Sequence, residues 1–339
     1  MNNTPASHIF IVGNSRSGTT LTSNILKSHP QVYGFGEIHF FEQLWKPEDS
    51  IELDWQDAVK LGARLLGIAR ESRLLLNKPE RYDEEASLML AENENKQMSH
   101  VNVYKAFLLY ETTRHGKQIP CEQTPRYIFY LKEILQLFPD ARVIVLARDP
   151  RDILLSQKNK WKQYWSSNDG IHIKEMLRTW SNYHPVLLSQ MWKQAMRAAS
   201  HFSNDSRVKW VYFEDLVKNS EQVVTEVCDF LGLDFDKKML EVPASRSTLA
   251  KNDNSSKGVS SAPIARWKNK LPDTDIFWCQ KIAREQMEDL GYEIEDRNVN
   301  PVALLYSAIL FPVKAVISLS LNASQSKNII GSIRRRLIG

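Results

Sequence analysis

A chain of 339 residues, 42% hydrophobic, 25% charged and 10% aromatic, carries ample apolar surface to bury, which excludes disorder along its whole length. The length suits one large α/β domain with appendages, or two ordinary domains. A formal net charge of +4 favours anionic ligands, but it lacks the strongly basic balance of a nucleic-acid binder.

Cys121, Cys228 and Cys279 are odd in number and far apart, with no CxxC or Cys/His cluster, which speaks against a disulfide scaffold and a structural zinc. The opening MNNTPASHIFIVG has no basic leader and only a short apolar run, so the expected setting is reducing and cytoplasmic.

In chain order, His8 to Gly13 (HIFIVG) reads as an apolar strand that passes into a Gly- and hydroxyl-rich loop. Leu21, Ile25 and Leu26 then fall at helical spacing, and Pro30 stops that helix. A second strand is expected to end near Gly36. Residues from about 50 to 100 are polar and helix-like, with ARLLGIARESRLLL as one amphipathic helix, and read as an inserted helical cap. A strand over Ile119 to Glu122 precedes a helix from Pro125 to Phe138 capped by Thr124. RVIVLA is a continuous apolar strand of the kind buried on both faces in a parallel sheet, and Asp149-Pro150 opens the next helix.

A long helical region is expected from about His172 to Ser200, a strand over Arg207 to Phe213, and a helix through EDLVKNSEQVVTEVCDFLGL. Strands alternating with helices predict an α/β fold: three layers, with a central parallel sheet between helices. Residues from about 241 to 271 have no periodic apolar face and read as a functional loop. In the tail, 296–339, the apolar run Val302 to Leu321 is interrupted by Pro312 and Lys314 and precedes Arg334, Arg335 and Arg336. A central lysine disfavours a spanning helix; packing on the main domain or a twin subunit, or peripheral contact with a membrane, fits better.

The loop Gly13-Asn-Ser-Arg-Ser-Gly18-Thr19-Thr20 has P-loop spacing, with Thr19 where a nucleotide triphosphatase has lysine. Inward backbone N–H groups and the following helix N-terminus still cradle an anion, but the positive charge has moved to Arg16. A phosphate-bearing donor other than a magnesium-bound triphosphate is implied.

SRSGTT after a first strand resembles the 5′-phosphosulfate loop of sulfotransferases that use 3′-phosphoadenosine 5′-phosphosulfate (PAPS), with the arginine of the tyrosylprotein and carbohydrate branches. ARDPRDILLS, ending at Ser156, resembles the family segment whose arginine and serine, here Arg148 and Ser156, hold the donor's 3′-phosphate. Gly36-Glu37-Ile38-His39-Phe40-Phe41 resembles the ExHFF stretch of heparan-sulfate sulfotransferases, which implies Glu37 as catalytic base, with His39 the lesser alternative. Lys257, ten residues before the Trp267 of the pair Arg266-Trp267, resembles the donor-touching lysine of the tyrosylprotein branch. The expected donor set is thus Ser15, Arg16, Ser17, Gly18, Thr19, Thr20, Arg148, Ser156 and Lys257, with no metal, and Arg16 also acts in catalysis.

The resemblance runs from about residue 8 to 292 and implies a sulfotransferase domain over 1–295, with the insertion at about 50–100 and the 241–271 loop as a lid. One departure stands out. Glu122-Gln123-Thr124-Pro125 resembles an EKTP segment, but its lysine is Gln123 here. The implied acceptor is a hydroxyl on a glycan, glycolipid, phenol or tyrosine, with carbohydrate favoured, no nucleic acid, and a homodimer left open. Two alternatives remain at this point: a P-loop small-molecule kinase, and an inactive nucleotide-binding module, which Gln123 would favour.

Overall fold

The computed structural model describes residues 6–47, 52–71, 79–92, 97–160, 172–242 and 264–322. Five strands, β1 (His8–Gly13), β2 (Val32–Gly34), β3 (Ile119–Gln123), β4 (Ala141–Ala147) and β5 (Val208–Tyr212), form one sheet in the order β2-β3-β1-β4-β5. Every pairing is parallel. Alternation along the central strands sends side chains to two opposite apolar layers, because successive residues of a strand face opposite ways. Phe10, Val12, Val143 and Val145 join one core, while Ile9, Ile11, Ile144 and Leu146 join the other. The result is the expected three-layer α/β architecture.

Helices α1 (Thr19–Lys27), α2 (Trp55–Glu71), α3 (Asp83–Ala91) and α4 (His100–Arg114) follow in the first half. Helices α2, α3 and α4 all bury residues in the Phe10 layer, where Leu65, Met89, Tyr104 and Phe107 are almost fully enclosed. After β3 the chain forms a 3-10 turn over Pro125–Tyr130 before α5 (Leu131–Leu137), so the helix expected from Pro125 begins in tighter form. Thr124 occupies its N-cap position, but its hydroxyl goes to Glu122 Oε1 at 2.5 Å instead of capping.

The second half contains α6 (Pro150–Lys158), α7 (His172–Ser181), α8 (Pro185–Ser200), α9 (Phe213–Lys218), α10 (Ser220–Leu231), α11 (Trp267–Lys270), α12 (Asp273–Asp289) and α13 (Pro301–Asn322). The helical region expected over 172–200 is two helices. Pro185 lacks an N–H and biases His184 to extended backbone, and the His184 ring accepts from the Val186 amide at 3.3 Å to start the second helix. The helix expected after β5 likewise breaks at Asn219, whose backbone leaves the helical region.

Topology decides where the loops go. Because β1 and β4 are parallel neighbours with Gly13 opposite Leu146, the loop after β1 and the residues after β4 emerge side by side. Pairing of Ile11 with Gln123 brings the end of β3 to the other flank of the same loop. Ligand sites in open parallel sheets form at such carboxyl edges.

Candidate active site

The loop over 14–18 turns sharply between β1 and α1. Arg16 has φ 76° and Gly18 φ 98°, both in the left-handed region. A non-glycine residue there is strained, as is common where a loop wraps an anion. Gly18 is also pressed against the Phe213 ring, where an added Cβ would collide. Ser17 is fully buried, and its Oγ has no hydrogen-bond partner among the described residues. Thr19 is buried and Thr20 exposed at the start of α1. Ser15 lies on the outer turn of the loop, exposed.

Two arginines converge here. Arg148 leaves the end of β4, is 8% exposed, donates from a guanidinium nitrogen to the Arg16 carbonyl at 2.8 Å and lies 4.2 Å from the Phe213 ring centre. Arg16 donates from Nε to Ser156 Oγ at 3.0 Å, so the early loop, the end of β4 and helix α6 are tied together at Arg16. Burial works against the charge of both groups; for Arg148 the carboxylates of Asp152 and Glu214 oppose that effect. Among the described residues no carboxylate forms an ion pair with Arg16. Two crowded, half-compensated guanidiniums beside an unpaired buried hydroxyl are what a site for a multiply charged anion provides.

The four residues Asp149 to Asp152 hold this corner. The Asp149 side chain caps α6 through the Arg151 amide and pairs with the buried Arg151 guanidinium at 2.8 Å. Arg151 also donates to Gln280 Oε1 and lies 3.8 Å from the Trp267 ring centre. Asp152 accepts from the Ala265 and Trp267 amides at 2.7 and 3.1 Å. These contacts clasp the segment that re-enters at 264 to helix α6. Lys257 itself lies outside the described residues.

Beyond β2, which ends at Gly34, two residues earlier than expected, the chain carries Glu37 to the carboxyl edge. Glu37 is half exposed and meets His39 Nε2 at 3.1 Å, while His39 Nδ1 meets Glu42 Oε1 at 3.1 Å. His39 adopts φ 56° and starts a π-helical turn, Phe40–Leu44, a geometry often found at functional positions. Burial disfavours charge on His39, but hydrogen bonds to Glu37 and Glu42, with their charges, outweigh it and push its pKa up to about 9. A protonated His39 donates from both nitrogens and is not free to take a proton.

Three further features complete this corner, of which Lys160 is signalled by no short motif. Lys160, one turn past Ser156, lies within electrostatic reach of Arg16, Arg178, Glu37 and Arg126, and burial is the main cause lowering its pKa. Only the i, i+4 spacing from Ser156 could have pointed to it. Gln123, at the family lysine position, donates to Thr19 Oγ1 at 3.2 Å, so this side chain braces the loop.

The third feature is Glu122, fully buried beneath the Glu37 loop. It accepts from the Ile38 amide at 3.3 Å, the Thr124 hydroxyl at 2.5 Å and the Tyr104 hydroxyl at 3.0 Å. Tyr127 Oη accepts from the Phe40 amide at 2.6 Å, and Phe40 stacks on Tyr104 at 4.0 Å. Burial raises the Glu122 pKa to about 7 against these hydrogen bonds.

A pH dependence of stability follows. Glu122 stays protonated in the folded state while the unfolded chain ionises, so stability falls as pH rises from the ordinary glutamate value towards 7. His39 has a raised folded pKa, so its contribution is complete below about 6.5 and is lost as pH rises to about 9. The thermal midpoint is therefore expected to decline from about pH 5 to about pH 9. Glu122→Gln should flatten the lower limb and His39→Gln the upper; unchanged slopes in melts of both variants would disprove these assignments.

Against known proteins, a model of the sulfotransferase family matches residues 8–237. The chain belongs to the sulfotransferase family. Similar proteins include the protein-tyrosine sulfotransferase A of Caenorhabditis elegans, 23% identical over 307 residues that cover 86% of this chain and 68% of that one. Another is the carbohydrate sulfotransferase 1 of Danio rerio, 23% identical over 86% of this chain and 79% of that protein. Among solved structures, the sulfotransferase domains of the curacin biosynthetic pathway and of the Synechococcus PCC 7002 olefin synthase both superpose with TM-score 0.52. They are 17% and 21% identical, span 86% and 87% of this chain, and are themselves covered over 99% and 98%.

This enzyme is therefore a transferase of sulfuryl groups, and the kinase alternative falls with the family assignment.

Proposed function

We propose that the enzyme moves a sulfuryl group from PAPS to an acceptor hydroxyl, with a carbohydrate or glycolipid hydroxyl favoured by the Glu37-Ile38-His39-Phe40-Phe41 loop. The observation that carries this reading is the knot at Arg16, where Arg148 and Ser156 meet the loop beside the unpaired Ser17 Oγ. These residues fit a bisphosphorylated nucleotide in charge and donor type. PAPS would supply an activated sulfuryl group on a phosphate leaving group.

The 14–20 loop, through its amides, Ser17 and the Thr19 and Thr20 hydroxyls, would hold the 5′ end, and Arg148 with Ser156 the 3′-phosphate. Arg16 bridges the two. Its guanidinium would serve either anion, exchanging its hydrogen bond to the Ser156 hydroxyl for one to a charged ligand oxygen. Glu37 removes the acceptor proton, held in orientation by the His39 imidazolium. Lys257 is proposed to close over the donor.

Two measurements test this function. Adenosine 3′,5′-bisphosphate should raise the melting temperature in proportion to the logarithm of its concentration, whereas ATP with magnesium should not. Labelled PAPS should then pass label to a sugar hydroxyl in a panel that includes tyrosyl peptides and phenols. Stabilisation by ATP alone would refute the donor, and labelling confined to tyrosine would refute the acceptor class. In the same assay Arg16→Ala is expected to lose about 10²–10³-fold in turnover, as removal of a preorganised charge donor does elsewhere.

A further inference from the structure

Helix α13, Pro301–Asn322, touches the rest of the protein along one side. The His184 ring meets the Ser307 carbonyl at 3.1 Å and packs against Phe311. Lys314 Nζ donates to the Tyr183 carbonyl at 3.1 Å and lies 4.3 Å from the Trp180 ring centre, and Ser318 donates to Asn182 Oδ1. Positions 307, 311, 314 and 318 make one helical face. Lys314 is the sole charged residue between 301 and 322, and it is turned inward.

The opposite face is apolar and open to solvent. Val302, Leu305, Tyr306, Ile309, Val313 and Val316 recur at intervals of three and four and are each more than half exposed. Ile173 and Leu177 of the adjoining α7 are exposed as well. Helix α13 is long and apolar enough to cross a membrane. Its inner face, however, is hydrogen-bonded to the body and cannot also be bathed in lipid, which leaves an arrangement parallel to a surface.

We propose that this face seats the enzyme in the interfacial layer of an anionic lipid bilayer. Charge decides the occupant. Residues 323–339, next in the chain, contain Lys327, Arg334, Arg335 and Arg336 and no acidic residue. An apolar stripe followed by a basic segment supplies the two signals that stable peripheral attachment needs. A second copy of this chain would add the same cations and, from this segment, no acidic residue to match them. Tyr306 and Trp180 are aromatic residues of the type that favours the headgroup level. Helix α7 also carries Arg178, within electrostatic reach of Lys160, so the lipid-facing surface and the candidate active site share one element.

The test is co-sedimentation of the full chain with vesicles of phosphatidylcholine, with and without phosphatidylglycerol, beside light scattering of the protein alone. The wild type should pellet with the anionic vesicles, less so at high salt. Leu305→Gln with Ile309→Gln should weaken that binding about tenfold or more while leaving the melting temperature and sulfuryl transfer to a soluble acceptor unchanged. Wild type that stays in the supernatant with anionic vesicles overturns the proposal. A wild-type dimer that the double variant converts to monomer overturns it too, and assigns the face to a second copy.

Discussion

Glu37→Gln should reduce sulfuryl transfer by about 10²–10⁴-fold while leaving the affinity for adenosine 3′,5′-bisphosphate nearly intact. The substitution keeps the size of the side chain and an oxygen that accepts from His39, so the loop retains its orientation. What it removes is the capacity to take a proton as the acceptor oxygen attacks. Among the described residues Glu37 is joined to His39 and not to the loop over 14–18, so its substitution is expected to separate donor binding from turnover. Single-turnover assays with labelled donor, with calorimetry of the bisphosphate, give the two quantities. Unimpaired turnover would move the base elsewhere, and His39 is a poor substitute because Glu37 and Glu42 engage both its ring nitrogens.

Gly18→Ala is the second large effect, and it acts through the backbone. At φ 98° an L side chain is strained, which costs about 1–2 kcal/mol. The new methyl group would also enter the Phe213 ring, which itself lies under the Arg148 guanidinium, and overpacking of this kind costs about 1–3 kcal/mol. Relief requires Phe213 to move, and Arg148 with it. The variant should therefore melt several degrees lower and lose stabilisation by the bisphosphate together. Phe213→Ala combined with Gly18→Ala removes the collision and should recover part of the melting temperature. A lone Gly18→Ala protein with wild-type melting and nucleotide response would show that the ring does not set the loop.

Much of the architecture was legible from local pattern. HIFIVG and RVIVLA are continuous apolar runs of the kind that strands buried on both faces carry, and the Gly- and Ser-rich turn between a strand and a helix has P-loop spacing readable without reference to the rest of the chain. Helix interruptions were less legible. The stop before Pro185 has a clear local cause, whereas the break at Asn219 and the 3-10 start at Pro125 carry no such local signal. The DPRD residues show the limit in another form: as a string they read as a surface turn, yet Arg151 is 3% exposed and clasps Trp267.

Local sequence was enough to name the individual parts: an arginine-bearing Gly- and Ser-rich loop, an arginine at a strand end, a serine on the next helix and a glutamate after a second strand. Those are properties of neighbouring residues, set by propensity and spacing within a single turn. Their convergence is a property of strand order. Arg16 and Ser156 are 140 positions apart, and only the parallel pairing of β1 with β4 puts them at 3.0 Å. The same holds for Lys160 coming within electrostatic reach of Glu37, Gln123 bracing Thr19, and Lys314 folding inward to leave a bare apolar face, since each depends on long-range placement that no local window contains.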